Sequence, residues 1–158
     1  MAGDARFEDA DEAPLRLMAA DTEDLAVIAA LVQDAVFPAS EMRWQRRARR
    51  FALLLNRFRW EEALRKTGER PPERVQALLV IDDVKRVQVQ GVVPGDADMV
   101  LSLLDIGFEP GEDGAGWLYL TLAGDGAVRL EVEAINVILK DVTRPYVAPS
   151  GKVPAHPV

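Results

Sequence analysis

An α+β fold built mainly on antiparallel strands is what the sequence predicts, and three observations carry the prediction. Leu25, Ile28, Ala29, Leu31 and Val32 recur at helical spacing behind Asp21, which marks one amphipathic helix laid on a sheet. After Pro38 the apolar period changes to two and holds for most of the chain, the spacing at which side chains alternate across a strand. Gly124-Asp125-Gly126 then separates two alternating runs, a glycine-containing hairpin connection.

Composition sets the frame. The 158 residues, 49% hydrophobic and 28% charged, match one globular domain. There is no cysteine, which excludes a disulfide framework, a thiolate zinc site, an iron–sulfur cluster and a cysteine nucleophile. Met1 to Ala13 is acidic and lacks an apolar run, unlike a secretory signal, and no later stretch has membrane-spanning length. The expectation is a soluble, cytoplasmic protein with a disordered acidic lead at 1–13, a single domain at 14–144 and a disordered proline-rich tail at 145–158. The net charge of -7 disfavours non-specific binding to nucleic acid or anionic lipid. The charges are segregated, however: Arg43 to Arg74 holds eleven Arg or Lys against four Glu, which leaves 8 basic and 22 acidic residues elsewhere.

Taken in order, Leu15, Leu17 and Ala19 alternate with Arg16 and Met18 as a short strand. Asp21 then serves as N-cap of a helix reaching about Asp34, with Glu23 and Asp24 in the first turn. Met42 to Trp44 and Arg50 to Trp60 form a hairpin through Arg46 to Arg49. Phe51, Leu53 and Leu55 share one face while Phe58 and Trp60 take the other parity, so a bulge or a bend is expected at Asn56-Arg57. Gly68 to Pro72 is a loop. Val75 to Ile81 and Val87 to Val93 make either a hairpin or one strand bent at Asp82-Asp83. Pro94 to Asp98 turns, and Met99 to Phe108 is apolar at both parities, as in a strand covered on both sides. Trp117 to Ala123 and Ala127 to Glu133 pair across the glycine turn. Ile135, Ile138, Leu139 and Val142 recur at helical spacing as a short terminal helix. About seven strands with a helix near each end suit a partly open barrel closed by the terminal helix, as in pleckstrin-homology-like domains, or an open sheet with helices on one face; the first is favoured.

Three stretches carry a family resemblance: Arg50 to Glu61 (RFALLLNRFRWE), Leu101 to Leu104 leading to Phe108-Glu109-Pro110-Gly111-Glu112, and Arg129 to Glu133 (RLEVE). Together they resemble the small bacterial family catalogued as domain of unknown function 2948, over roughly Pro14 to Val142. The resemblance implies a bacterial cytoplasmic protein and brings no assigned activity, catalytic residue or ligand.

Chemistry-bearing motifs are sparse. The single histidine, His156, lies two residues from the end, and Ser102 sits inside an apolar strand, so a histidine-based triad has no material. Asp82-Asp83, Asp96 with Asp98, and Glu109 with Glu112 and Asp113 have the composition of hard-cation ligands or an acid–base pair, but each falls where a turn is expected. Gly111 to Gly116 lacks the lysine and following helix of a phosphate loop; a hairpin loop accounts for it.

One segment points outward. Arg43, Arg46, Arg47, Arg49, Arg50, Arg57 and Arg59 interleave with Trp44, Phe51, Phe58 and Trp60, the composition of surfaces that grip phosphates and stack on bases. Against this, arginine is a good solvated edge residue and the rings have the makings of core. The candidate binding set is Arg46, Arg47, Arg49, Arg50, Arg57, Arg59, Trp44 and Trp60, with no catalytic residue, metal or cofactor implied. The expected function is a non-enzymatic binding or adaptor domain contacting an acidic protein partner. An RNA or phosphate binder and a carboxylate-dependent enzyme are the alternatives, and no membrane role is expected.

Overall fold

A computed structural model describes residues 14–63 and 73–147. The acidic lead, the Gly68–Pro72 loop and the tail from 148 lie outside the described residues. In chain order the elements are β1 (Arg16–Ala19), α1 (Thr22–Leu31), β2 (Val36–Pro38), a 3-10 turn (Ala39–Glu41), β3 (Met42–Gln45), β4 (Arg50–Phe58), a single helical turn α2 (Trp60–Ala63), β5 (Glu73–Ile81), β6 (Val84–Gln90), β7 (Val100–Pro110), β8 (Gly116–Leu122), β9 (Ala127–Val132), β10 (Val137–Asp141) and β11 (Tyr146–Val147).

Every strand pairing is antiparallel. The order β1-β10-β5-β4-β2-β7-β8-β9-β6 is an open path, with β3 added on β4 and β11 on β5. A first half (β1, β10, β5, β4, β3) and a second half (β7, β8, β9, β6) are stitched together by β2, which pairs β4 through Val36 and β7 through Val36 to Pro38. α1 packs against β7 and β1, and Leu25, Ile28 and Ala29 on its buried side join one core cluster with strands of both halves. Leu53, Leu79, Leu103 and Leu130, each within an apolar stretch of an expected strand, are all 0% exposed. No described helix is long and apolar enough to cross a membrane.

The helix starts as expected: the Asp21 carboxylate accepts the Asp24 N–H at 2.8 Å, satisfying one of the unpaired donors of the first turn. Both anticipated hairpins form, β3–β4 with Gln45 opposite Arg50 and β8–β9 with Thr121 opposite Ala127. Gly124 sits at φ 78°, in the left-handed region this turn requires. Gly111 to Gly116 is the loop of a further hairpin, closed by Pro110 opposite Gly116.

The differences are physical. The sheet has eleven strands among the described residues rather than about seven, because short pieces of two to five residues add to it: β2 between β4 and β7, β10 between β1 and β5, and β11 beside β5. The terminal helix is a strand. Val137 to Asp141 fills the gap between β1 and β5, where both neighbours offer unpaired backbone groups, and that demand outweighs a local 3-4 spacing. With it goes the element expected to close a pleckstrin-homology-like barrel, and the sheet stays open. β5 and β6 do not pair; at Asp83, φ 60°, the chain passes from the first half to the second. The expected bulge at Asn56-Arg57 is absent, since β4 runs in unbroken register with β5 from Phe51↔Ile81 to Phe58↔Arg74. The bulge lies in β7 instead, between Leu103 and Asp105, and the resulting change of phase brings both Leu103 and Ile106 inward. It, rather than cover on two sides, accounts for apolar residues at both parities there.

Candidate functional site

The unbroken register of β4 sorts the arginines. Phe51, Leu53, Leu55 and Arg57 share one parity, so Arg57 points into the core with 0% exposure. Its guanidinium donates to Asp141 through Nε and Nη2, each at 2.9 Å, and to Glu61 through Nη1 and Nη2 at 2.9 and 2.8 Å. Asp141 stands on β10 opposite Ala77, and Glu61 comes from the α2 turn four residues on. Burial works to lower the arginine's pKa, but the hydrogen bonds and charges of the two carboxylates outweigh it and raise the pKa above its ordinary value. Burial likewise pushes Glu61 up, and the hydrogen bond and charge of Arg57 overcome it to hold that carboxyl below its ordinary range. Arg59, 6% exposed, donates to Glu73 at 2.6 Å. Arg57 and Arg59 therefore tie β4 to β10, α2 and β5, and they leave the candidate surface. A buried arginine held by two carboxylates reads in sequence like any strand arginine, since its partner Asp141 is 84 residues away.

The rings turn inward too. Phe51 and Phe58 are each 2% exposed. Trp44 is half-buried against the core. Trp60 is half-buried, donates Nε1 to the Gln33 carbonyl at 3.0 Å and meets Phe58 edge-on with ring centres 4.7 Å apart.

What remains outside is the tip of the β3–β4 hairpin. Arg43, Arg46, Arg47, Arg49 and Arg50 are all exposed. The tip is braced: Arg49 N–H donates to the Arg46 carbonyl at 3.2 Å, and the Arg49 carbonyl accepts the Val84 N–H at 2.9 Å. Arg49 also pairs with Glu133 at 2.8 Å, Arg50 with Asp82 at 2.8 Å, and Arg43 donates to the Ser40 carbonyl at 2.8 Å. Arg46 and Arg47 make no ion pair among the described residues.

The outer face of the first half continues from this tip. A shallow groove of about 360 Å³ runs over Ala52, Leu78, Val80 and Ile138, bounded by Arg50 and Asp82 at one side and Arg16 and Lys140 at the other. Sequence reasoning missed it, although Leu78 and Val80 beside Leu79 and Ile81 make β5 apolar at both parities, which was the available signal. The outer face of the second half is of another kind. Arg129 lies over Trp117 at 4.0 Å and Tyr119 at 5.5 Å, Arg86 pairs with Glu131 at 3.2 Å, and the Tyr119 hydroxyl donates to Glu109 at 2.6 Å. That last hydrogen bond raises the Tyr119 pKa.

Of the carboxylates weighed as ligands, Asp82, Asp83, Asp96 and Glu109 have hydrogen-bond partners within the fold. Asp82 accepts from Arg50, Asp83 from Asn136 at 3.2 Å, and Asp96 from the Asp98 N–H at 2.9 Å, an Asx turn. Among the described residues no group of three or more His, Asp or Glu has the arrangement of a metal site.

Compared with known proteins, the chain matches neither a curated protein nor a solved structure. A family model, described as protein of unknown function (DUF2948), matches residues 15–156, nearly the whole length. The chain therefore belongs to the DUF2948 family.

Proposed function

We propose that this protein is a non-enzymatic, cytoplasmic binding module that contacts an acidic protein partner through the tip of the β3–β4 hairpin. The observation that carries the reading is the pair Arg46 and Arg47, exposed and without an ion pair among the described residues, on a turn braced by Val84 and Glu133. A braced turn holds its cations in place before binding, so less side-chain and backbone freedom is lost on contact. Cations on an otherwise acidic protein also steer acidic partners toward one face. A protein partner is favoured over nucleic acid because Trp44, Phe51, Phe58 and Trp60 are turned into the fold, leaving the tip no ring on which a base stacks.

Affinity capture from an extract of the source cells, with and without nuclease, tests this. The reversal Arg46→Glu with Arg47→Glu is expected to leave the melt unchanged, abolish capture of the principal partner and remove its salt dependence, with nuclease having no effect. Retention of the same partner with the same salt dependence would refute the reading. Loss of the partner on nuclease treatment would transfer it to nucleic acid.

A further inference from the structure

We infer that the outer face of the first half-sheet is a docking surface for an acidic, amphipathic segment of a protein partner. The inference deepens the reading of the basic hairpin and rests on it. An antiparallel sheet with one face on the core ordinarily shows polar side chains on the other. The second half does so, with its ion pair and stacked arginine. The first half does not: Leu78, Val80, Ala52 and Ile138 floor the groove, all only partly buried, and Met18 opposite Ile138 is 64% exposed. From β1 to β4 this floor spans three strand spacings, or about 14 Å.

Charge at the rim states what the floor is matched to. Arg16 and Lys140 are direct cross-strand partners on this exposed face, and neither makes an ion pair among the described residues. Like charges in that position repel, so a carboxylate from outside would relieve a repulsion as well as gain an attraction. At the other side Arg50, already paired with Asp82, and Arg43 opposite Ala52 connect the floor to the hairpin tip. The complementary ligand has aliphatic side chains on one side and carboxylates on its flanks. A nucleic acid finds no aromatic ring among the groove-lining residues. A second copy of this chain, docked face to face, would bring its own Arg16 and Lys140 to the same basic rim.

The test titrates the isotope-labelled full chain with two synthetic peptides, one alternating valine and glutamate, the other a helical repeat with leucines at i, i+3, i+4 and i+7 and glutamates elsewhere, following amide shifts. The expected result is binding of one of them, with shifts at Met18, Val80 and Ile138 and at the tip. Lys140→Glu should weaken that binding about tenfold, some 1.4 kcal/mol, while raising the melting temperature, because the reversal gives Arg16 a carboxylate across the strand pair. Ile138→Glu should weaken binding as well; should it fail to fold, Lys140→Glu decides alone. Binding of neither peptide overturns the proposal, as does preferential binding at this face of anionic vesicles or single-stranded RNA, or a dimer dispersed by Lys140→Glu. Shifts confined to the tip overturn the docking face and leave the hairpin reading standing. Shifts on the face that persist unchanged in the Arg46→Glu, Arg47→Glu variant support the face and overturn the hairpin.

Discussion

Replacing Arg57 by methionine removes the cation that Asp141 and Glu61 share inside the fold while keeping an unbranched side chain of similar reach. Breaking a buried pair by deleting one partner costs about 3–5 kcal/mol, because the remaining charge is left uncompensated. Two features place this case near the lower end. Asp141 keeps a hydrogen bond from the Leu15 N–H at 3.1 Å, and Glu61 retains 30% side-chain exposure through which water hydrates it. A loss of about 3 kcal/mol lowers the urea midpoint by about 1–3 M at the slopes usual for small proteins. It lowers the melting temperature by about 6–12 °C for a chain of this size. Urea unfolding of the two proteins, with equal slopes required, is the assay. Adding Asp141→Leu to the variant should recover part of the loss, since it removes the stranded charge. The pH dependence supplies a second check. Glu61 is held below its ordinary pKa by Arg57, so its contribution is fully present above the unfolded value, about 4.3, and is lost as pH falls through the folded value. The variant should lack that part of the acid limb. A loss below about 1 kcal/mol, with the acid limb unchanged, would refute the argument and mean that Arg57 is hydrated in the folded state.

Two further perturbations probe the frame that carries the candidate surface. Leu79→Ala, at a 0% exposed site opposite Leu53 and Leu139, should cost about 2–5 kcal/mol in the same assay; a change under about 0.5 kcal/mol would mean that β5 presents its other face to the core. Gly116→Ala places a methyl against the Glu109 carbonyl and 2.7 Å from the Phe108 ring, so it should cost about 1–3 kcal/mol, and a neutral result would show that the β7–β8 turn yields freely.

How much of this was legible in the sequence follows from how far apart the partners lie. The α1 cap, the β3–β4 and β8–β9 hairpins and the shared inward face of Phe51, Leu53 and Leu55 rest on residues close in the chain or on a period repeated within one strand, so the sequence alone determined them. The family resemblance, carried by the spacing of three segments, likewise needed no coordinates. The fate of Val137 to Asp141 rested on β1 and β5, whose unpaired backbone groups exert a demand that no local window contains. The same distance divided the arginines. Arg46 and Arg57 read alike as cations beside aromatic residues, but Arg57 meets Asp141 across 84 residues and is drawn into the core, whereas Arg46 stays exposed and meets no carboxylate among the described residues. The outer groove needed β1, β10, β5 and β4 side by side before its floor existed. Local periodicity therefore determined what each strand presents, and only the tertiary pairing decided which of those faces were left for solvent, because burial and charge compensation depend on neighbours brought together from distant parts of the chain.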